Sequence, residues 1–305
     1  MSWQARLLLV TAWATARPMI AALPQNEFGV RLGRRSTAAT LAVLSPVLAG
    51  AEITRVPQPR GEWVRAPGID DDRAVVFYLH GSAYTICSAR THRGITSRLS
   101  AAAGLPVFAC DYRLAPSHRF PAAADDVRAA YDWLLGQGYR PEQVVLAGDS
   151  AGGHLAMDLT CELIRAGLPV PGGMALFSPA IDLTFTLSAR RGPRDPLISA
   201  ARARRLVEHY TRDTDPAHPR LSLAIPAGSP WPPTLVQAGG AEMLVADAEH
   251  IHDAIRAAGG DCDLQVWPAQ GHVFQVFAAL LPEARAALAG AGQFIRRCLP
   301  IKERS

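Results

Sequence analysis

Residues 144–166 read VVLAGDSAGGHLAMDLTCELIRA, and this stretch decides the fold. Its opening apolar run predicts a buried strand, and the residues from His154 to Ala166 predict a helix. Between the two stands Gly148-Asp149-Ser150-Ala151-Gly152, the only G-x-S-x-G match in the chain. A serine on so sharp a turn is forced outward at the carboxyl end of its strand. The stretch therefore predicts an exposed nucleophile at one edge of a sheet; the plainer alternative is an ordinary strand-to-helix turn.

The same strand-then-helix pattern continues on both sides of this turn. Short apolar runs predict strands at 53–56, 62–65, 74–79, 107–110, 144–147, 174–177, 235–237 and 264–267. Helical stretches fall between them at 91–103, 122–136, 154–166, 199–210, 242–258 and 282–298. Most of the strand segments are apolar throughout, as in strands that are buried on both faces of a parallel sheet. We therefore expect an α/β protein with a mostly parallel central sheet of about eight strands, flanked by helices.

Composition excludes several other kinds of protein. Of the 305 residues, 49% are hydrophobic and 19% are charged, which supplies a core and excludes a disordered chain. No apolar run reaches the roughly 18–20 residues of a membrane span. The five cysteines are scattered without CxxC spacing, so neither a disulfide framework nor a zinc site is predicted. The net charge of +4 comes almost wholly from arginine, with no basic stripe or recognition motif, so no nucleic-acid partner is expected.

The first 50 residues depart from the alternation. Trp3, Leu7 and Val10 recur at helical spacing, which is typical of an amphipathic helix packed on the body of a protein. Prolines at 18 and 24 are expected to interrupt that helix. The alternative is a secretory signal, with small residues at 14 and 16 before the cleavage site.

A second departure lies at residues 180–232, which are too long for one crossover helix. An insertion at this edge of a parallel sheet predicts part of a cap over a ligand site. The insertion carries six arginines, at Arg190, Arg191, Arg194, Arg202, Arg204 and Arg205. They either bind an anionic lipid surface or substrate, or form a solvated face of the cap.

A serine hydroxyl is a poor nucleophile unless a base takes its proton. Of nine histidines, His272 stands in a glycine-containing loop directly after the last predicted strand. Folds with this kind of strand–serine–helix turn place their base there, last in the chain order serine, acid, histidine. His154, in the first turn after Ser150, is expected to pack rather than to line the site. His250 and His252 lie two residues apart on one helix, which argues against a metal pair.

The acid should follow a strand between Ser150 and His272. Glu242 lies after the predicted strand 235–237, at the expected start of the next helix, and Asp247 lies over a turn further in. A carboxylate at the edge of the sheet reaches an imidazole on the next loop, whereas one inside a helix generally does not. Glu242 is therefore the predicted acid. Asp247 is the alternative, and its plain interpretation is a solvated helix residue.

Acyl transfer also needs donors for a tetrahedral oxyanion. His80-Gly81-Ser82-Ala83-Tyr84 closes a predicted strand, and its small residues let backbone N–H groups approach a substrate oxygen. Ala151, directly after Ser150, is expected to supply a further N–H. The predicted oxyanion hole therefore consists of Gly81, Ser82, Ala83 and Ala151, with His80, Tyr84 and Asp149 beside it.

Three segments together resemble the hormone-sensitive-lipase-like family of α/β hydrolases, the bacterial family IV esterases. The first, His80 to Tyr84, looks like the family's H-G-G-G. The second runs from Asp111-Tyr112-Arg113-Leu114-Ala115-Pro116 to Trp133-Leu134, and the third is 148–153. The resemblance covers roughly residues 52–298. It implies the α/β-hydrolase fold with a helical cap, and small esters with short to medium acyl chains as substrates.

The resemblance also implies a layout for the chain. Residues 1–50 would form N-terminal cap helices and 181–215 a cap insertion, over a catalytic domain made of 51–180 and 216–305. No metal or organic cofactor is expected, and no stable membrane insertion. Relatives commonly pair into homodimers, so the resemblance implies a homodimer as a candidate assembly for this chain. We expect a cytoplasmic protein, with secretion or surface association as the alternative.

The sequence departs from the family pattern at three functional positions. Ser82 and Ala83 replace the second and third glycines of H-G-G-G, and the added atoms disfavour bulky alcohol groups and tertiary esters. Glu242 stands where many relatives have Asp. The resulting hypothesis is a serine carboxylesterase in which Ser150 attacks, His272 is the base and Glu242 orients it. The alternatives are a lactone hydrolase, amidase or acyltransferase on the same triad, and a ligand-binding hydrolase fold without catalysis.

Overall fold

The structure, a computed structural model, describes residues 1–190 and 195–299. Within these residues one eight-stranded sheet has the order β1-β2-β4-β3-β5-β6-β7-β8. The strands are β1 Glu52–Val56, β2 Gly61–Arg65, β3 Val75–Leu79, β4 Val107–Cys110, β5 Val144–Asp149, β6 Gly173–Phe177, β7 Thr234–Gly239 and β8 Cys262–Trp267. β2 pairs antiparallel with both β1 and β4, and all other pairs are parallel. The expected mostly parallel sheet is confirmed.

Ten α-helices accompany the sheet in the described part of the chain. They are α1 Trp3–Thr11, α2 Arg17–Ala22, α3 Glu27–Leu44, α4 Arg93–Ala103, α5 Ala122–Gly136, α6 Ala151–Arg165, α7 Thr186–Arg190, α8 Ala200–Thr211, α9 Val245–Ala257 and α10 Pro282–Arg297. The prediction for α9 was wrong at its start, because Glu242 lies in the loop before the helix. There the Ala241 N–H donates to the Gln270 carbonyl, and the Met243 N–H donates to the Asp195 carboxylate.

The central strands are apolar throughout because both faces of the sheet are covered. Along β3, Val75, Phe77 and Leu79 lie in one core with side chains of α5, α6 and α9. Val76 and Tyr78 lie in a second core with side chains of α4 and α10. Successive residues of a strand point to opposite faces, so a strand between two cores needs an apolar side chain at every position.

The N-terminal segment forms a nearly continuous helical arm. We call residues 3–22 the N-terminal arm: α1, a wider π-type turn at Ala12–Ala16, and α2. The prediction that Pro18 interrupts the helix was wrong, because Pro18 stands in the first turn of α2, where proline is tolerated. The arm is anchored at its start, where the Ser2 N–H and hydroxyl donate to the Glu283 carboxylate at 2.6 and 2.9 Å. No helix in the described residues is long and apolar enough to cross a membrane.

The segment between β6 and β7 carries α7 and α8, and it contacts this arm. Arg202 on α8 donates to the Ala21 and Leu23 carbonyls, at 3.1 and 2.6 Å, at the end of α2. Arg205 donates to the Gln25 side chain at 3.1 Å. These two arginines are therefore engaged with the N-terminal segment rather than simply solvated. Two arginines of the predicted cluster, Arg191 and Arg194, lie outside the described residues.

Candidate active site

Ser150 occupies the turn between β5 and α6. Its backbone has φ 52° and ψ −119°, a strained conformation for a residue with a side chain. Main-chain hydrogen bonds around Ser150 hold this conformation in place. The Ser150 N–H donates to the Phe177 carbonyl at 3.0 Å, and the Ser150 carbonyl accepts from the Gly153 and Ala180 N–H groups, both at 3.0 Å. The turn thus holds the serine at the carboxyl edge of the sheet.

Close approach of the backbone explains the glycines around this serine. A Cβ on Gly152 would lie 1.9 Å from the Leu79 carbonyl oxygen at the end of β3. A Cβ on Gly81 would lie 2.2 Å from the Asp149 carboxylate. Both distances are far below van der Waals contact, so larger residues would push the β3 loop away from Ser150.

Glu242 and His272 form a hydrogen-bonded pair beside the turn. The His272 Nδ1 lies 2.5 Å from Glu242 Oε2. The other carboxylate oxygen accepts hydrogen bonds from the Gly239 N–H and the Ser178 hydroxyl, each at 2.6 Å. The Glu242 side chain is fully buried and that of His272 is 22% exposed. Since Nδ1 faces a carboxylate, which only accepts, Nδ1 carries the proton, and Nε2 of neutral His272 is left as the basic nitrogen.

The loop after β3 supplies backbone donors next to Ser150. Ser82, Ala83 and Tyr84 all have positive φ, at 77°, 53° and 61°. The N–H groups of Ser82 and Ala83 have no acceptor among the described residues. The Ala151 N–H stands at the first position of α6, where a helix offers no internal acceptor. All three donors belong to residues that line the same cavity as Ser150.

An arginine from the N-terminal segment holds this loop. Arg34 on α3 donates from Nε to the Thr85 carbonyl at 2.7 Å and from Nη2 to the Ala115 carbonyl at 2.8 Å. Thr85 in turn donates its N–H to the Ser82 carbonyl at 3.0 Å. Burial lowers the pKa of Arg34, and no carboxylate among the described residues pairs with it. Its guanidinium thus binds main-chain carbonyls, one of them at the end of the strained loop.

A cavity of about 320 Å³ opens onto Ser150 and His272. Its walls are mostly apolar and come from α2, α3 and α8 as well as from the loops of the sheet. The wall residues from these helices include Ile20, Val30, Ala203, Leu206 and Val207, and Leu23, directly after α2, lies in the same wall. The cavity therefore lies between the carboxyl edge of the sheet and helices of the N-terminal and 178–233 segments.

Comparison with known proteins agrees with this architecture. The family described as alpha/beta hydrolase fold matches residues 76–276. An acetyl-hydrolase of Streptomyces hygroscopicus is 40% identical over 247 residues, which cover 80% of this chain and 82% of that protein. The carboxylesterase/phospholipase LipF of Mycobacterium tuberculosis is 36% identical over 264 residues, covering 79% and 67%. The crystal structure of an esterase from the bacterial hormone-sensitive lipase family superposes with a TM-score of 0.88 at 35% identity, covering 98% and 99%.

The chain belongs to the hormone-sensitive-lipase-like family of α/β-hydrolase esterases. It is a carboxylic ester hydrolase. The resemblance read from the three sequence segments is confirmed, as is the α/β-hydrolase fold that it implied.

In this esterase the electrostatics favour His272 as a base. Burial alone would lower its pKa, but the charge of Glu242 and the hydrogen bond to it outweigh burial. The pKa of His272 is therefore raised above its ordinary value of 6.5. A higher pKa makes the imidazole a stronger proton acceptor once it is neutral.

Ser178 links the two loops that carry the acid and the base, and sequence reasoning missed it. It follows β6 directly, is fully buried and has φ 48°. Its hydroxyl donates to Glu242 at 2.6 Å and accepts from the Val273 N–H at 3.1 Å. A serine directly after a buried strand, at the edge where Ser150 also lies, was the available signal.

Asp247 lies in a different network from His272. Its carboxylate accepts from the Ile181 and Asp182 N–H groups at 2.9 and 2.8 Å and from the Ser188 hydroxyl at 2.9 Å. The interpretation of Asp247 as a solvated helix residue was wrong, since it is fully buried and burial raises its pKa to about 6. It ties residues 181–188 to α9.

Two of the residues predicted beside the oxyanion loop lie beneath it and do not line the cavity. The His80 ring stacks on Tyr112 with 4.2 Å between centroids, and burial together with His92 lowers the pKa of His80 to about 4. Asp149 accepts from the Tyr78 hydroxyl at 2.7 Å and lies 3.3 Å from His92 Nε2. Burial would raise the pKa of Asp149, but the charge and hydrogen bond of His92 and the Tyr78 hydroxyl outweigh it, so the pKa is lowered.

Tyr84 and His154 pack against each other. Tyr84 lines the cavity and stacks on Tyr210, with ring centroids 4.1 Å apart. His154 is buried edge-on to Tyr84, and its Nε2–H donates to the Leu221 carbonyl at 3.3 Å. His154 packs, as expected. Among the described residues no group of three or more His, Cys, Asp and Glu side chains is arranged to hold a metal ion.

Proposed function

We propose that the protein is a serine carboxylesterase that hydrolyses short- to medium-chain acyl esters through Ser150, His272 and Glu242. One observation carries the proposal. Ser150 and His272 line the same apolar cavity, and the His272 ring is fixed by a 2.5 Å hydrogen bond to Glu242. A nucleophile, a base and an orienting acid in that arrangement are what acyl transfer requires.

In the first half-reaction, Ser150 Oγ attacks the ester carbonyl carbon while His272 Nε2 takes the hydroxyl proton. Glu242 keeps the proton on Nδ1 and stabilises the imidazolium that forms. The N–H groups of Ser82, Ala83 and Ala151 donate to the oxyanion of the tetrahedral intermediate. When the intermediate collapses, His272 returns the proton to the leaving alkoxide, which departs as the alcohol and leaves an acyl-serine.

In the second half-reaction, a water molecule takes the place of the alcohol. His272 Nε2 accepts its proton as the water oxygen attacks the acyl-serine carbonyl. The same N–H groups hold the second oxyanion. Collapse releases the carboxylic acid and returns the proton to Ser150 Oγ, so the triad ends the cycle as it began.

The preference for short to medium acyl chains rests on the size and lining of the cavity. Its volume of about 320 Å³ is near the lower end for small-molecule sites, and helices of residues 1–50 and 181–215 wall it as a cap. The relative named acetyl-hydrolase points to the same class of substrate. We place the catalytic domain at 51–180 and 216–305, with the cap segments above its carboxyl edge.

The test is hydrolysis of p-nitrophenyl esters from acetate to laurate by wild type and Ser150→Ala. We expect turnover that falls beyond about eight acyl carbons and a folded Ser150→Ala variant that retains no more than about one part in 10⁶ of kcat. Comparable activity in Ser150→Ala would refute the nucleophile. Rising turnover towards laurate would refute the chain-length assignment while leaving the triad standing.

Product analysis separates this function from acyl transfer on the same triad. The reaction is run with a competing alcohol or amine, and ester, amide and acid products are quantified. A carboxylesterase yields the free acid as the main product. Predominant transfer to the added acceptor would instead assign an acyltransferase.

A further inference from the structure

The exposed apolar side chains of this protein are concentrated in one region. Ten of the thirteen large hydrophobic residues that are exposed in the described chain lie within residues 1–47. They are Met1, Trp3, Leu7, Val10, Trp13, Met19, Phe28, Leu32, Val43 and Val47. Scattered exposed hydrophobics are normal, but such a concentration on one terminal segment points to a surface that binds a partner.

The N-terminal arm is apolar on two sides, and only one of them packs on the protein. Ala5 is buried in the core that contains α10, and Leu8 packs against that core. Trp3, Leu7 and Val10 follow the i, i+4, i+7 spacing of one helix face and are 70%, 58% and 65% exposed. A helix that is apolar all round is ordinarily buried. The outer face of the arm therefore lacks its partner in this single chain.

The charge on the arm indicates what that partner is. Residues 1–26 contain Arg6 and Arg17 and no Asp or Glu. Arg6 is exposed and has no ion pair with a described residue. The Arg17 guanidinium, by contrast, stacks 4.2 Å above the Trp13 ring and donates to the Asp195 carbonyl of the same chain. Exposed apolar side chains with tryptophan, a free arginine and no acid favour the interface of an anionic bilayer over an aqueous protein surface.

The arm is also continuous with the catalytic cavity. Its last turn contributes Ile20 to the cavity wall, and Leu23 follows directly after it in the same wall. Arg202 fixes this end of the arm through the Ala21 and Leu23 carbonyls. A surface that bound the outer face of the arm would thus lie beside the cavity that Ser150 faces.

We propose that the N-terminal arm docks this protein on the surface of an anionic lipid bilayer. The outer face, with Trp3, Leu7 and Val10, would enter the interface, and the exposed Arg6 would bind a headgroup. A second copy of the chain is the competing partner, but pairing two arms would bring together two cationic faces without acids. Docking would place the cavity where apolar esters concentrate, which extends the proposed esterase function to substrates dissolved in a membrane.

The experiment is flotation of the full chain with vesicles of phosphatidylcholine, with and without phosphatidylglycerol. The variant Trp3→Gln/Leu7→Gln/Val10→Gln removes the outer face. Leu168→Gln/Val266→Gln/Leu280→Gln removes three exposed hydrophobics elsewhere and is the matched control. Hydrolysis of soluble p-nitrophenyl butyrate shows that each variant is folded, because none of these residues lines the cavity.

We expect wild type and the control variant to float with anionic vesicles, and the arm variant to partition at least about tenfold less. Arg6→Gln should weaken binding to anionic vesicles about fivefold and leave binding to neutral vesicles unchanged. Failure of wild type to float would overturn the proposal. So would an arm variant that floats like wild type, or a wild-type dimer in solution that the arm substitutions dissociate while vesicles stay unbound.

Discussion

The two sides of the catalytic cavity are held in different ways. On the proposed acid–base side, Glu242 accepts three hydrogen bonds, one of them from His272. The other two come from buried groups at the ends of strands, the Ser178 hydroxyl after β6 and the Gly239 N–H of β7. On the oxyanion side, the backbone of residues 82–84 runs through three successive positive φ angles, each costing about 1–2 kcal/mol outside glycine. That loop is held by Arg34, which comes from a helix of the N-terminal segment.

The difference indicates which substitutions should affect each side of the cavity. The acid–base side depends on the sheet, so it should survive changes in the N-terminal segment. The oxyanion side depends on α3, which also forms part of the cavity wall. Substitutions in α3 should therefore lower the reaction rate by displacing the backbone N–H donors. Variants on the two sides should therefore separate into different kinetic classes.

The largest effect should come from the acid. Glu242→Gln removes the charge that fixes the His272 tautomer, and we expect kcat to fall about 10⁴-fold. Asp247→Asn is the matched control, since Asp247 is equally buried but bonds to residues 181–188. The control should keep kcat within about threefold and lose about 1–3 kcal/mol of unfolding free energy. A larger loss of kcat in Asp247→Asn would reassign the acid.

The next effect should come from the residue that holds the oxyanion loop. Arg34→Gln frees the Thr85 and Ala115 carbonyls, and displacing the loop should lower kcat about 10- to 100-fold with little change in KM. Arg35→Gln, on the same helix but exposed, is the control. Steady-state kinetics on p-nitrophenyl butyrate decides. Equal kcat in the two variants would remove Arg34 from any positioning role.

The pH dependence should report the acid–base side alone. Protonation of His272 removes the base, so kcat/KM should fall as the pH is lowered. Because the pKa of His272 is raised, this fall should begin while the pH is still above 6.5 and should then reach about tenfold per pH unit. In Glu242→Gln the raising charge is gone, so the residual activity should lose its acid limb at a lower pH. Arg34→Gln should keep the wild-type limb. If Arg34→Gln shifted the acid limb of the pH profile and Glu242→Gln left it in place, the assignment of the two sides of the cavity would be contradicted.

A smaller effect is expected at Ser178. Ser178→Ala leaves Glu242 with two of its three donors and the Val273 N–H without its acceptor. Loss of one such positioning bond should lower kcat about tenfold and, through His272, shift the acid limb of the pH profile. Thr186→Ala removes an exposed hydroxyl from the same segment between β6 and β7, and it should change neither kcat nor the acid limb. An unmoved pH limb with lower stability would mean that Ser178 only supports the fold.

The smallest effect should come from Ala83→Gly. The change removes one methyl group from the cavity wall and relieves a positive φ, so kcat on p-nitrophenyl butyrate should stay within about threefold. The measured quantity is the ratio of turnover for a tertiary-butyl ester to that for an ethyl ester. The ratio should rise, because the side chain narrows the space for the alcohol. No rise would show that Ala83 does not limit the alcohol group.

The sequence predicted the strands of the sheet, and it predicted the residues of the candidate site but not the contacts that hold them. The strands were predictable because β3, β5 and β6 are covered on both faces and are therefore apolar at every position. Ser150, Glu242 and His272 were predictable as candidates because each follows a strand at the same edge, in a fixed chain order. Their roles in catalysis remain proposals.

The remaining features depend on contacts between distant segments. Nothing in the residues around Arg34 indicates that its partners are carbonyls at 85 and 115, since main-chain acceptors leave no residue-type signal. Asp247 sits at a helical position that is solvated on most helices, and only the packing of 181–188 buries it. Pro18 is an ordinary helix breaker in isolation, and its tolerance depends on where α2 begins.

The central claim is that Ser150 is a nucleophile activated by His272. The most direct measurement is covalent labelling with a fluorophosphonate, followed by intact mass and peptide mapping, on wild type, Ser150→Ala and His272→Ala. The account predicts one adduct per wild-type chain, on Ser150, with no adduct in Ser150→Ala and labelling slowed by orders of magnitude in His272→Ala. An adduct on another serine, or undiminished labelling of Ser150→Ala, would contradict it.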